Sequence, residues 1–338
     1  MADLLSGMKL TAISRDLSKL AEVCLEAALK LAASETAKRY GGPESCPGLA
    51  IIGAGKLGGR ELSYGSDLDI LFVYSEDRAL PPPPGLSVFE YFSKVAEKTI
   101  SYLSSLTREG FAFRIDTRLR PAGSKGPLVQ SIGAFSNYYT TQAETWERQA
   151  LLRARQVAGD RTVGAEFCRT IQDVIYRDAD RAALAADIRA MRARMQEEVG
   201  KESAAQYNIK QGAGGFVDIE FLVQYLQLLY GRNYRRIRVP GTYNALRALD
   251  RERLLNKEDC RALIDSYQFL RQLESRMRIV SNQATSELSR DPAKLWSLAR
   301  RMEYSDTDLP AGQKLLHDYE GLSRRVRELF LRIVGDGS

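Results

Sequence analysis

The chain has 338 residues, of which 44% are hydrophobic, enough to bury the cores of two domains at a customary ~150 residues each. Its 49 basic residues exceed the 43 acidic ones by six, a mild excess that suits a phosphate-bearing ligand without calling for nucleic acid. A single histidine, His317, leaves almost no material for histidine zinc sites or Ser/His/Asp triads, so catalysis is expected to run on carboxylates, lysines and arginines.

The four cysteines, Cys24, Cys46, Cys168 and Cys260, show no CxxC spacing, and neither a signal peptide nor an apolar run of ~18 residues is present. A cytoplasmic protein without disulfides or membrane spans is expected. In chain order, Ile13, Leu17, Leu20, Cys24, Ala28 and Leu31 recur at threes and fours, predicting an amphipathic helix that stops near Gly41 and Gly42. From Leu49 to about Asp160 the pattern mixes strands with helices. "LAII" and "DILFVY" read as strands, Pro81 to Pro84 as a loop, Phe89 to Leu103 as a helix and "FAFRID" as a further strand. Beyond Asp160 the strand signals stop and helical stripes repeat: Leu184, Ile188, Met191, Met195 and Val199; then Leu263, Tyr267, Leu270 and Met277; then Leu316 to Ile333. Asn256 and the pair Asp291 and Pro292 are placed to start helices. The expected fold is α+β followed by a helical bundle, divided as an N-terminal helix over 1–45 packed on a catalytic domain, that domain over 46–160, and the bundle over 161–338.

"IIGAGKLGGR" carries Gly53, Gly55 and Gly58 in the GxGxxG spacing of dinucleotide-binding turns. A Rossmann unit also needs a crossover helix of a dozen or more residues and a ribose-binding acid at the end of the next strand, ~20 positions on. Here only "RELSY" separates Gly59 from Gly65, and Asp67 stands at the start of the next strand, fourteen residues after Gly53. The dinucleotide reading fails, and so does the P-loop reading, since GxxxxGK followed by Ser or Thr does not occur.

The following "GSDLDILFVY" places Asp67 and Asp69 on one face of a strand entering an apolar run. Two carboxylates on one face repel unless a cation lies between them, and Mg²⁺, which takes carboxylate, water and phosphate oxygens, is the natural candidate. The plainer alternative is that the pair solvates a strand end. In "GFAFRIDTRLRP", Phe111, Phe113 and Ile115 alternate with Ala112, Arg114 and Asp116, so a strand that buries the phenylalanines turns Asp116 the other way. Were that strand to neighbour the first, three carboxylates would converge, with Arg118 and Arg120 beside them to steady a leaving pyrophosphate or simply to form salt bridges. These parts describe a nucleotidyl-transfer site, in which two metals would stabilise attacking and leaving oxygens without a histidine.

The runs "GAGKLGGRELSYGSDLDILFVY", "RIDTRLRPAGSKGPLVQS", "WERQALLRARQVAGD" and "NIKQGAGGFVDIEFLVQYLQLLYG" cover most of residues 50–231. In order and approximate spacing they resemble the glutamine synthetase adenylyltransferases, bacterial enzymes of the DNA polymerase β-like nucleotidyltransferase superfamily. The resemblance implies a polymerase β-like domain, a small mixed sheet flanked by helices, ahead of a helical bundle. It implies Asp67, Asp69 and Asp116 as the catalytic, metal-binding acids for two Mg²⁺, Gly55 and Lys56 in the phosphate-holding turn, and Ser66 in support of Asp67. The superfamily usually writes Gly-Ser where this chain has Gly55 and Lys56. ATP is then the substrate, with AMP passing to a tyrosine of glutamine synthetase and pyrophosphate leaving, and PII signal protein and glutamine are the implied effectors.

Full-length family members carry two such units, one adenylylating and one removing AMP by phosphorolysis to give ADP. "GSDLD", "VDIEF" and "LSRRVRELFLRIVG" look more like the C-terminal, adenylylating half. The competing readings are the deadenylylating half, a uridylyltransferase or RNA nucleotidyltransferase of the same superfamily, and a regulatory module with a silent site. Among the remaining features, "GRNYRRIRV" reads as a solvated or protein-contacting loop more than an RNA-binding one, and "WERQALLRAR" puts Arg148, Arg153 and Arg155 near Glu147 on a helix, with Glu147 as surface charge or an orienter of an arginine. Asp218 and Glu220 read as helix-start acids or as nucleotide contacts from the helical domain.

Overall fold

Residues 10–200, 202–203, 205–281 and 285–335 are described by a computed structural model in which the chain forms two compact units, Met1–Arg177 and Asp178–Ser338. In the first unit, helix α1 (Leu10–Tyr40) ends where Gly41 and Gly42 take positive φ, as the sequence predicts. Its buried face matches the stripe read in the sequence in part: Ile13 and Ala28 are buried and Leu17 and Cys24 pack half-buried on the core, joined by Ala21, Leu25, Leu29, Ala32 and Ala33, whereas Leu20 and Leu31 are more than half exposed. Alanines let the helix lie close against its neighbours, so the small face is the packed one.

Strand β1 (Leu49–Gly53) is buried along its whole length and runs antiparallel to β2 (Leu68–Tyr74), with the four-residue helix α2 (Gly55–Gly58) at the turn between them. Antiparallel pairing is incompatible with the parallel βαβ unit of a dinucleotide fold. Leu49, Ile51, Leu68, Ile70 and Phe72 share a core with α1 and helix α3 (Val88–Ser104). Alternation turns Ile52, Leu71 and Val73 to the other face. A Ser87/Glu90 capping box starts α3.

The strand expected over "FAFRID" shrinks to β3 (Ile115–Asp116), and Phe111 is exposed. The chain has just turned at Thr107–Gly110, whose mutual backbone pairing leaves residues 111–114 outside the sheet. β3 and β4 (Val129–Ser131) both lie parallel to β2 on one edge: β3 opposite Leu68 and Asp69, β4 opposite Phe72 to Tyr74. The segment 117–128 is an excursion that leaves and rejoins the same strand.

Helices α4 (Ile132–Thr141) and α5 (Thr145–Leu151) precede β5 (Arg155–Gly159), which pairs antiparallel with β1 and completes the order β3-β2-β1-β5. Helix α6 (Arg161–Ile175) packs on β1, β2 and β5 through Val163, Phe167 and Ile171. The sequence reading placed this helix with the bundle, beyond a boundary at residue 160; the compact units divide instead after Arg177. Asp160 caps α6 through the Thr162 and Val163 N–H groups and also accepts the Gly48 N–H at 2.9 Å, tying the start of β1 to the end of β5.

The second unit comprises α7 (Arg181–Val199), α8 (Phe216–Tyr230), α9 (Thr242–Arg251), α10 (Lys257–Ser281), α11 (Pro292–Arg301) and α12 (Ala311–Val334). Asp291 caps α11 with Pro292 in its first turn, and Asn256 accepts the Asp259 N–H ahead of α10, both as read from sequence. One feature the helical periodicity hid is a short antiparallel pair, β6 (Gln206–Asn208) with β7 (Glu287–Ser289). Among the described residues no disulfide forms, and no helix is long and apolar enough to cross a membrane.

Candidate active site

The turn from β1 into β2 sets the site. Gly55 takes φ +49°, and a methyl group on its Cα would overlap the Asp69 carboxylate. The Ala54 N–H donates to the Asp69 carbonyl at 2.9 Å, so the glycine segment is fastened directly to the second aspartate. Ser66, next to Asp67 in the chain, closes a turn with Ser63: its Oγ accepts the Ser63 N–H at 3.1 Å and its own N–H donates to the Ser63 carbonyl. Lys56 Nζ reaches Ser63 Oγ at 3.5 Å.

In the parallel register of β2 and β3, Asp69 stands opposite Asp116. Asp67 is exposed at the strand entry, and Asp69 and Asp116 are half-buried. Arg118 binds Asp116 through Nε, at 3.0 Å to each carboxylate oxygen, and through Nη2 at 2.6 Å. These hydrogen bonds outweigh burial and, with the Arg118 backbone N–H and the charges of Arg118 and Arg120, hold the Asp116 carboxyl below its ordinary value. The Arg118 guanidinium is in turn raised, first by that hydrogen bond, then by the charge of Asp116 and, more weakly, of Asp69 and Asp67. One exposed cation thus senses all three carboxylates.

Arg120 has a different engagement. Its guanidinium donates to the Thr117 carbonyl and hydroxyl at 2.8 and 2.7 Å, to the Ser124 carbonyl at 3.1 Å and to the Gly126 carbonyl at 3.0 Å. It closes the excursion on itself and reaches Asp116 only through charge. The excursion turns through Ala122 and Gly123, both at positive φ, a conformation that the alternating pattern of arginines could not reveal.

Glu147, read as surface charge or an arginine orienter, is buried; it accepts the Tyr138 hydroxyl and the Glu144 N–H, both at 2.9 Å. Arg148 beside it is also buried, with Nη2 on the Ile175 carbonyl, and burial together with the charge of Arg177 pushes it down to about 10. Arg155, read from "WERQALLRAR" as lying near Glu147 on a helix, stands instead on β5, because the helix ends at Leu151; its side chain bonds the carbonyls of Gly58 at 2.9 Å and Leu57 at 3.0 Å and pairs with Glu22 of α1. It clamps the C-terminal end of the glycine segment.

In the second unit, Asp218 sits in the first turn of α8, fully buried, where it holds the Gly214 N–H at 2.7 Å, the equally buried Arg192, and Arg327. It acts as a helix-start acid within that unit. In the arginine-rich loop, Arg232 pairs with Asp178, Arg236 with Glu252, and Arg238 with the Gly231 carbonyl, all local contacts.

Among the described residues, no three His, Cys, Asp or Glu side chains are already drawn together around a metal position. The donor set nonetheless suits a hard cation. Three carboxylates would supply oxygen ligands, and the positive charge now among them belongs to an arginine side chain that is 78% exposed and therefore displaced at little cost.

A mixed α+β unit with acidic residues facing each other across parallel strands, next to a glycine turn, is consistent with a nucleotidyltransferase-like fold. The sequence profile described as glutamate-ammonia ligase adenylyltransferase matches residues 1–170, and the chain belongs to that family. A second profile, described as GlnD PII-uridylyltransferase, matches residues 183–334. Three similar proteins are each named bifunctional glutamine synthetase adenylyltransferase/adenylyl-removing enzyme. The one from Methylococcus capsulatus is 32% identical over 338 residues, covering 99% of this chain and 35% of its own length. Those from Nitrosococcus oceani and Thioalkalivibrio sulfidiphilus are 36% and 37% identical, covering 85% and 84% of this chain and 31% and 30% of their own lengths. The chain spans about a third of the length of these relatives.

Proposed function

We propose that this chain is a cytoplasmic, polymerase β-like nucleotidyltransferase unit, the adenylylating half of a longer bifunctional enzyme, and that it moves AMP from ATP to a tyrosine hydroxyl of glutamine synthetase. The observation that carries this reading is the register of β2 and β3, which sets Asp69 opposite Asp116 beside the glycine turn. In the reaction the phenolic oxygen gives up its proton to solvent and bonds to the α-phosphorus, the bond from that phosphorus to the β-phosphate bridging oxygen breaks, and pyrophosphate leaves with the electron pair.

Asp67, Asp69 and Asp116 would hold the Mg²⁺ ions, which when bound supply charge neutralisation at the phosphates and raise the acidity of the attacking hydroxyl. Asp116 is held ionised by Arg118, which suits a cation-holding carboxylate better than a proton acceptor. Freed from Asp116, Arg118 carries its charge to the triphosphate, whose oxygens Gly55 and Lys56 would hold in the family-implied phosphate turn. Arg120 shapes the adjoining excursion rather than touching phosphate. PII signal protein and glutamine are proposed as effectors of the longer enzyme.

The test is to incubate the protein with Mg²⁺, ATP and unmodified glutamine synthetase and to look by mass spectrometry for AMP on a tyrosine. A parallel incubation with adenylylated glutamine synthetase and phosphate reads ADP release. AMP appearing on tyrosine in the first arm is expected; ADP release alone assigns the chain to the adenylyl-removing half. Because the relatives are bifunctional by name and the second unit matches a uridylyltransferase profile, UTP in place of ATP forms a third arm, expected to be inactive.

A further inference from the structure

Behind the glycine segment, on the side away from the aspartates in sequence, α1 and β5 enclose an open groove of about 780 Å³. Its walls carry Lys19, Lys30, Arg60, Arg155 and Arg161 against only Glu22 and Glu26. Both acids are already engaged: Glu22 with Arg155, and Glu26 with Lys30 at 3.3 Å and with the Gly159 N–H at 2.9 Å. Lys19, Arg60 and Arg161 therefore remain in excess, and the groove is net positive. Arg60 is held at φ +56°, a backbone that glycine would take without strain, so the sequence spends a non-glycine residue on placing this cation.

The groove continues into an apolar rim. Leu20, Val23, Ala27 and Leu31 fall within an arc of about 80° on α1, at 100° per residue, and all four are exposed. Val23 is 67% exposed although it belongs to a helix whose other face is closely packed. An apolar helix stripe flanked by uncompensated cations matches one kind of occupant, an amphipathic helix with leucine-type residues on one face and carboxylates flanking them.

We infer that this groove is a docking surface for an acidic amphipathic helix of a partner protein segment, and that its occupancy is transmitted to the glycine segment. The route of transmission is short. Arg155 lines the groove, pairs with Glu22 there, and bonds the carbonyls of Leu57 and Gly58, while the other end of the same four-residue helix begins at Gly55 against Asp69. A carboxylate arriving in the groove competes with Glu22 for Arg155 and so loosens or tightens that clamp. The docking surface stands independently of the activity proposed above, because its readout is binding.

The experiment uses the full chain and a fluorescein-labelled synthetic peptide with leucines at i, i+3, i+4 and i+7 and glutamates at the flanking positions. The control peptide carries lysines in place of the glutamates. Saturable binding of the glutamate peptide is expected, read by anisotropy, weakening with salt and at least tenfold weaker in Val23→Asp and in Arg161→Glu. Both variants keep the fold: Val23 is exposed, and an acid in the first turn of α6 is favoured by the helix dipole. Amide exchange is expected to slow over residues 19–31 and 155–161 and to change over 55–60. Equal binding of the lysine peptide, or no saturable binding of either, overturns the docking surface. Self-association of the chain that Val23→Asp abolishes, without peptide binding, assigns the rim to a second copy and likewise overturns it. Unchanged exchange over 55–60 on saturation overturns the coupling.

Discussion

The two units use the same ingredients, aspartate and arginine, in opposite ways. In the second unit Asp218 and Arg192 are almost wholly buried, and every oxygen of the carboxylate is taken by Arg192, Arg327 or the Gly214 N–H. In the first unit Asp116 is half-buried and its partner Arg118 lies in water, with Asp67 and Asp69 nearby. A buried pair cannot exchange partners without leaving a charge in low dielectric, whereas an exposed guanidinium can leave for solvent. The first arrangement fixes a loop, and the second keeps carboxylates available to an incoming ligand.

The comparison is broken most sharply at Asp218. Asp218→Ala strands the Arg192 charge in the interior and is expected to cost about 3–5 kcal/mol, seen as loss or early melting of the second unit in urea titrations followed by circular dichroism. If that variant melts like the parent, the buried pair is not the lock described. At Asp69 the cost falls on chemistry instead: Asp69→Asn is expected to slow AMP transfer by about 10²- to 10³-fold, or ~3–4 kcal/mol, with the unfolding midpoint unchanged.

Gly55→Ala tests whether the glycine turn sets that carboxylate. The added methyl group and the positive φ together are expected to destabilise the first unit by about 1–3 kcal/mol, and transfer should fall with it; a stable variant with parental activity would show that Asp69 has room to move. Asp160 is a third kind of carboxylate, committed to backbone N–H groups. Burial opposes its ionisation, but the hydrogen bonds from Gly48, Val163 and Thr162 prevail and hold its carboxyl below the ordinary value. Its stabilisation is therefore fully present above the unfolded carboxyl pKa of ~3.9 and lost as pH falls through the lower folded value. Asp160→Ala is expected to cost about 1–2 kcal/mol at pH 7, and difference scans of parent and variant should converge at low pH. Arg118→Ala is the smallest in stability: its exposed ion pair predicts a change under about 0.5 kcal/mol, while ATP affinity measured by calorimetry falls. A large stability loss would place Arg118 with Arg192 as a structural residue.

How much of this was legible depended on the range of each interaction. The aspartate pair at a strand entry, the third aspartate and the failure of the dinucleotide turn all follow from spacing within a few residues, and the antiparallel pairing of β1 with β2 bears out the last of these. The strand over "FAFRID" was read too long because a period of two was taken as burial, while Phe111 is exposed. The stripe read on α1 held at Ile13, Leu17, Cys24 and Ala28 but not at Leu20 and Leu31, because the packed face is rotated toward Ala21, Leu25, Leu29 and Ala32. Arg120 was read as a phosphate contact or a salt bridge; its hydrogen bonds within the excursion depend on a left-handed turn at Ala122 that gives no sign in sequence. Arg155 with Glu22 and Arg192 with Asp218 join residues 133 and 26 positions apart, separations that no local pattern encodes.

The excursion between β3 and β4 has one further consequence. Both its ends are paired to the same strand, at Asp69 and at Phe72, and its interior is cinched by Arg120 alone among its own arginines. Such a stretch behaves as a cassette: apart from Arg118, which holds Asp116, its sequence can be exchanged for another of similar length without unzipping the sheet. Exchanging it with Arg118 kept is expected to leave Asp69 and Asp116 facing each other across β2 and β3.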